Sequence, residues 1–176
     1  KYDSNEPQDI NAFNLFYDEW STHFEDENGN RLTKGNFKGV NDERLEWLFS
    51  KINVENKKIL ELGPLEAAHS LLLEKQGAEV LSIEANLGAF LRCLTIKNQY
   101  SLKTKFLLGD FNKLNLAEQK FDLVLASGVL YHMSDPVSFL KKFSQYSNNL
   151  FLWTHYFESD LSLWNPALKE QLENGK

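Results

Sequence analysis

The stretch Lys58-Ile-Leu-Glu-Leu-Gly-Pro-Leu-Glu-Ala-Ala-His-Ser70 constrains this chain more than any other. Residues 59–62 read as a buried strand and Gly63-Pro64 as a tight turn, and a helix is expected from near Glu66. A strand that runs through a glycine turn into a helix gathers backbone N–H groups and a helix N-terminus at one point, which favours a polar or anionic ligand group. Twenty-three positions after Glu61 (84 − 61 = 23), Val80-Leu-Ser-Ile-Glu84 reads as a second strand ending in an acid. This is the layout of a nucleoside-binding βαβ unit, with the acid placed to accept from ribose hydroxyls. Leu65 and Ala67 stand where a dinucleotide fingerprint has glycines. A diphosphate needs close backbone approach there, so a ligand without phosphates is favoured. The alternative is a helix-capping turn of any α/β protein.

The rest of the chain alternates in the same way. Residues 1–11 form a polar arm without periodicity. Phe13, Phe16, Tyr17 and Trp20 recur at i, i+3, i+4 and i+7, which predicts one helical face. That face either packs on the domain's flank or serves as a lid over a ligand pocket. Residues 25–39, rich in Asn, Gly, Lys and Asp, read as a mobile loop. Asn41 is expected to cap the next helix, with Asp42 and Glu43 in its acidic first turn and Leu45, Leu48, Phe49 and Ile52 on its buried face. Gly77 is placed to end the helix after the glycine turn. A helix follows over 87–100, then strands over 105–110, 121–126 and 149–154. Asp135-Pro136 supplies an N-cap and an N1 proline for a helix to about 146, and Asn165-Pro166 opens a last helix that Gly175 closes. Strand and helix alternating throughout predict a parallel sheet.

At 176 residues the chain is long enough for one domain with a sizeable core. Its net charge of −6, with a pI of about 5.3 and no basic run, gives no electrostatic support to broad nucleic-acid or membrane-surface binding. Cys93 is the single cysteine, which excludes an internal disulfide; it is expected as a core filler. The four histidines lack paired metal spacing, so no metal site is expected. No Gly-x-Ser-x-Gly elbow or Walker loop occurs. Nor does a signal peptide or an apolar run of membrane-spanning length, so a cytoplasmic enzyme is expected. The chain begins with Lys1 rather than Met, as a fragment would.

Five predicted strands end in something polar or small: Glu61-Leu-Gly63, Glu84, Asp110, Ser127-Gly128 and Thr154-His155. In an open parallel sheet the carboxyl ends of the strands form the ligand crevice, so these residues should converge. With these motifs the chain, over roughly 53–156, resembles the class I S-adenosylmethionine-dependent methyltransferases, near a bacterial subgroup of mostly unassigned substrates. The resemblance implies a Rossmann-like three-layer α/β/α sandwich with a mostly parallel central sheet. It divides one compact domain into an N-terminal helical or lid segment, 1–52, and the S-adenosylmethionine-binding methyltransferase portion, 53–176. Glu61-Leu-Gly63 is similar to the turn that holds the methionine end of the cofactor, Glu84 to the ribose acid, and Gly109-Asp110-Phe111 to the motif beside the adenine. The cofactor contacts so implied are Glu61, Gly63, Leu65, His69, Glu84, Ala85, Asp110, Phe111, Ser127 and Gly128. The subgroup usually has Gly-Gly where this chain has Ala67-Ala68. The family fold also closes with two further strands, and only about twenty residues follow Tyr156, so the C-terminal strands are expected to be missing.

Methyl transfer from a sulfonium is an in-line displacement in which the protein mainly positions the acceptor and excludes water. A general base helps when the acceptor is a hydroxyl or a protonated amine. His132, in the run Val129-Leu-Tyr-His132 after the fourth strand, is the first candidate; the competing role is ordering its own loop. Tyr131 walls the pocket or packs. His155 and Tyr156 either touch the acceptor or simply end a strand. His69 sits near the cofactor carboxylate or in solvent, and His23 is expected on the surface. The function expected is transfer of a methyl group from S-adenosylmethionine to an unidentified, small-molecule acceptor. The alternatives are a catalytically silent cofactor-binding or interaction module and, weakest, a nucleoside-binding oxidoreductase.

Overall fold

The computed structural model describes residues 3–116 and 119–155. Five strands, β1 (Lys58–Leu62), β2 (Glu79–Glu84), β3 (Lys105–Leu108), β4 (Leu123–Ser127) and β5 (Leu150–Trp153), pair in the order β3-β2-β1-β4-β5. Every pairing is parallel, as the alternating sequence predicts. The register sets Glu61 beside Ser82 on one side and Leu125 on the other. The chain builds outward from β1 to β3 and then crosses back to β4. The strand order therefore reverses between β1 and β4, at whose carboxyl ends such sheets bind ligands.

The central strands are covered on both faces, and their alternation sorts side chains into two cores. Ile59, Val80, Leu123 and Leu125 pack with Leu45, Leu48 and Leu73, which come from α2 (Glu43–Lys51) and α3 (Ala68–Lys75). Leu60, Leu62, Val124 and Ala126 point the other way and meet Phe139 and Phe143 of α5 (Pro136–Phe143). A third cluster joins α3 and α4 (Leu87–Gln99) to Phe13, Trp20 and Phe24, so the N-terminal segment shares the core of the sheet domain. Cys93 of α4 is fully buried in it, and burial pushes its thiol pKa up, in keeping with a filler.

Capping explains the helix boundaries. Asp135 accepts from Ser138 N–H at 3.0 Å ahead of Pro136, and Gly77 takes a left-handed φ of +84° just past α3. Asp42, rather than the expected Asn41, caps α2: its Oδ1 accepts from Arg44 N–H at 2.9 Å, while Asn41 ends a separate 3-10 turn. α1 (Ile10–Asn14) is shorter than the aromatic periodicity predicts. The chain leaves the helix before Trp20, whose indole N–H donates to Phe13 O at 3.0 Å while the two rings stack 5.4 Å apart. Packing, not helical continuity, therefore unites Phe13, Phe16 and Trp20; Tyr17 faces solvent. Residues 25–38 form only isolated bridges, Glu25 with Arg31 and Phe37 with Thr22, but are fastened, with Arg31 donating to the carbonyls of Thr33, Lys34 and Gly35. Among the described residues no helix is long and apolar enough to cross a membrane. Tyr156 and the helix expected from Asn165-Pro166 lie outside the described residues.

Candidate functional site

The turn after β1 is built from left-handed backbone. Gly63 has φ +65°, and Leu65 and Ala67 follow at +55° and +62°. L-residues enter this region at a cost of about 1–2 kcal/mol each. The chain thus keeps a glycine-like turn without glycines at 65 and 67. Two contacts hold it there: Ala67 is fully buried, and Leu65 N–H donates to the Glu84 carboxyl at 3.1 Å. A Cβ at Gly63 would stand 3.0 Å from Val129 Cγ2. The helix begins at Ala68 rather than near Glu66, because Glu66 is buried in the turn and accepts from Ser21 and Thr22 N–H at 2.8–3.2 Å.

A cleft of about 720 Å³ opens over this turn at the carboxyl ends of β1, β2 and β4. That lies in the ~300–1,000 Å³ range of small-molecule and cofactor sites. Of the residues implied by the sequence, Gly63, Leu65, His69, Glu84, Ala85, Phe111, Ser127, Gly128, Tyr131 and His132 form its wall. Glu84 is buried at the end of β2, and its second oxygen accepts from Asn86 N–H at 2.8 Å. Each carboxylate oxygen carries two lone pairs, so both retain acceptor capacity toward the cleft. Ser127 Oγ is buried without a partner among the described residues, at the floor of the same cleft.

Three implied residues stand elsewhere. Glu61 is fully buried behind the turn, where its Oε2 accepts from the hydroxyls of Ser70 and Ser82 and its Oε1 has no partner among the described residues. Burial pushes its carboxyl up, against the opposing pull of His69 and the two hydroxyls. Asp110 caps the short turn Phe111–Lys113, accepting from Asn112 N–H at 2.8 Å, and only its neighbour Phe111 reaches the wall. His155 lies behind Tyr131, its ring stacked at 4.6 Å and 10°. His132 sits on the turn Leu130–His132 with its ring 4.4 Å from that of Tyr131, and its imidazole makes no hydrogen bond among the described residues. Among those residues, no three of His, Cys, Asp and Glu gather as metal ligands.

The wall also contains residues that the sequence did not single out: Ser21, Thr22, Phe37, Arg44 and Trp153. Arg44 is its one Lys or Arg among the described residues, held over Trp153 at 4.7 Å and Phe37 at 5.3 Å. Asp42 grips Arg44 through Nε and Nη2 and bonds His69 Nε2 at 2.6 Å. Burial works to raise the Asp42 carboxyl, but the bonds from His69 and Arg44 outweigh it and hold the group well below the usual range. Only the Asp-x-Arg spacing at a helix start hinted at this cluster.

Residues 60–147 match the methyltransferase domain family. A ubiquinone biosynthesis O-methyltransferase from Hydrogenovibrio crunogenus is 28% identical over 145 residues, 80% of this chain and 56% of that protein. An rRNA adenine N-6-methyltransferase from Bacillus licheniformis is 29% identical over 117 residues, 62% of this chain and 40% of that protein. The chain thus spans about half the length of these curated relatives. Among solved structures, the N-terminal domain of EvdMO1 with SAH bound is 29% identical and superposes with a TM-score of 0.73 over 86% of this chain and 66% of that one.

Proposed function

The chain belongs to the methyltransferase domain family, and from that premise we propose that it binds S-adenosylmethionine in the cleft and transfers its methyl group to a small-molecule acceptor. One observation carries the reading. The Glu84 carboxyl is buried at the switch point, tied to the Leu65 turn, and keeps acceptor capacity toward the cleft. That is the arrangement a ribose diol requires. The partnerless Ser127 hydroxyl adds a polar contact on the floor, and Phe111 an apolar surface beside the adenine.

When bound, the cofactor supplies a methyl group already activated on a sulfonium. The chain's own part is geometric and protic. The left-handed turn at Gly63 gives backbone clearance, and Ser21 and Thr22 contribute to the cleft wall. His132 Nδ1 or Nε2, free of other bonds, takes the proton of an acceptor hydroxyl or ammonium, and Tyr131 walls the approach with His155 packed behind it. Glu61 stays behind the turn and supports it through Ser70 and Ser82.

A small acceptor fits better than a nucleic acid. The net charge is −6 and the described wall offers one guanidinium, whereas nucleic-acid binding rests on clustered Lys and Arg. The test is calorimetric titration with S-adenosylhomocysteine, followed by S-adenosylmethionine turnover against an acceptor panel that includes RNA. Binding of S-adenosylhomocysteine, and its formation from S-adenosylmethionine with small acceptors, is expected. Absence of binding removes the reading; binding without turnover on any acceptor favours a silent module. In active protein, His132→Ala should lower turnover about 10²–10⁴-fold, the range for a general base, at unchanged cofactor affinity.

A further inference from the structure

We propose that the outer face of α4 is where two copies of this chain pair, antiparallel, about a two-fold axis. α4 is apolar on two sides. Its inner side buries Ala89, Cys93 and Ile96, the last two in the cluster with Phe13 and Trp20. Its outer side carries Leu87, Leu91 and Leu94, which are 59%, 40% and 38% exposed. A helix that is apolar all round is normally buried all round, and a contiguous exposed apolar strip marks an interaction site.

Spacing names the occupant. Leu87, Leu91, Leu94 and the exposed Asn98 recur at intervals of four, three and four, the knob spacing of a two-helix seam. The intervals read the same in both directions. Antiparallel pairing therefore sets Leu91 against the partner's Leu94 and Leu87 against the partner's Asn98, and each contact occurs twice, as a two-fold axis requires. A groove of about 370 Å³ runs beside the strip, walled by Phe13 and Phe16 as well as Leu91 and Leu94. Leu15, 73% exposed on the N-terminal segment, extends the apolar surface across it.

Charge favours the same occupant. The chain carries a net charge of −6, so two copies repel wherever their acids meet. A quarter of its residues are charged, yet Asp9 is the one charged residue described in the wall of the groove, and the strip from Leu87 to Asn98 presents none. Two copies can approach here without opposing like charges, whereas a nucleic acid or a charged peptide finds no counter-charge. Leu87, Leu91 and Leu94 are not in the wall of the cofactor cleft, so the inference does not rest on that reading.

Sedimentation equilibrium across a concentration series tests the pairing. The mass should rise from 20.4 kDa toward twice that value. Leu91→Glu or Leu94→Glu puts an unpaired acid into the seam from each copy and should weaken association about 100-fold or more. Both side chains are exposed in the single chain, so its circular dichroism should not change. Cross-linking reads the orientation without those variants. With copper phenanthroline as oxidant, Leu87→Cys chains mixed with Asn98→Cys chains should form a disulfide-linked dimer. Neither should do so alone, because antiparallel pairing sets like positions about 16 Å apart along the axis, beyond disulfide reach. Cys93 is buried and does not compete. A chain that stays monomeric at every concentration overturns the proposal and leaves the strip to something other than a second copy. A dimer that neither glutamate weakens pairs through another face and overturns it too. Cross-linking of Leu87→Cys chains alone, in place of the mixture, overturns the antiparallel arrangement.

Discussion

Gly63→Ala isolates the feature on which the cleft depends. At φ +65° an alanine meets the left-handed penalty, about 1–2 kcal/mol. Its Cβ would also stand 3.0 Å from Val129 Cγ2, close enough that the valine must give by a few tenths of an ångström. Against this, replacing glycine restricts the unfolded chain and returns about 0.4–1 kcal/mol. The net loss is about 0.5–1.5 kcal/mol, or roughly 1–6 °C in the midpoint for a domain of this size. The assay is differential scanning calorimetry of Gly63→Ala, Val129→Ala and the double variant. Relief of the contact makes the double variant less destabilised than the sum of the singles, and the backbone part of the loss remains. A Gly63→Ala protein as stable as wild type would refute the argument, because it would mean that the turn adopts a right-handed conformation at no cost.

Glu84→Ala leaves Leu65 and Asn86 N–H without their carboxyl and removes the ribose acceptor; S-adenosylhomocysteine should bind about 1–3 kcal/mol more weakly by calorimetry, and unchanged affinity in folded protein counts against the assignment. Two carboxyls should act in opposite senses in acid. Burial works to raise the Glu74 carboxyl, but backbone N–H groups of Lys103 and Thr104 and the Thr104 hydroxyl outweigh it, so its folded value lies below its unfolded value. The stability it contributes is present above about pH 4.3 and is lost as pH falls through the folded value, so in denaturant titrations Glu74→Gln should be weaker than wild type at pH 7 and converge with it in acid. Glu61 is raised by burial, so the unfolded chain ionises first and stability falls as pH rises above about 4.3; Glu61→Gln should remove that slope, and an unchanged slope sinks the assignment. Backbone amides of Ser21, Thr22 and Phe37 should exchange more slowly with S-adenosylhomocysteine bound, whereas equal rates would show that this segment does not cover the ligand.

The sheet was legible because its signals are local. The apolar runs of β1 and β4 are buried on both faces, and that burial leaves a continuous pattern in one dimension. Glu84 was legible for a related reason: its distance from the turn is set by one helix and one strand. The Asp42–Arg44–His69 cluster was not, since Asp42 and His69 lie 27 residues apart and nothing in an Asp-x-Arg at a helix start distinguishes a surface pair from a cleft wall. Asn41 and Asp42 are both good caps, and the tertiary bond to His69 together with the local grip on Arg44 favours Asp42. The aromatic spacing from Phe13 to Trp20 mimicked a helix because the same side chains reach one core through a turn. Glu61, read as a cofactor contact, is fully buried, receives Ser70 and Ser82, and is not among the residues of the cleft wall.

The seam between Glu66 and the backbone of Ser21 and Thr22 has a bearing on traffic. Parting it would strand a fully buried carboxyl and its ion pair with Arg92, and each unmade bond to such a group costs about 1–3 kcal/mol. Tyr131 and Trp153, which also line the cleft, are substantially exposed. Exposed side chains change rotamer in picoseconds to nanoseconds and need no backbone opening. A ligand of the proposed site would therefore pass these rings without parting the Glu66 seam.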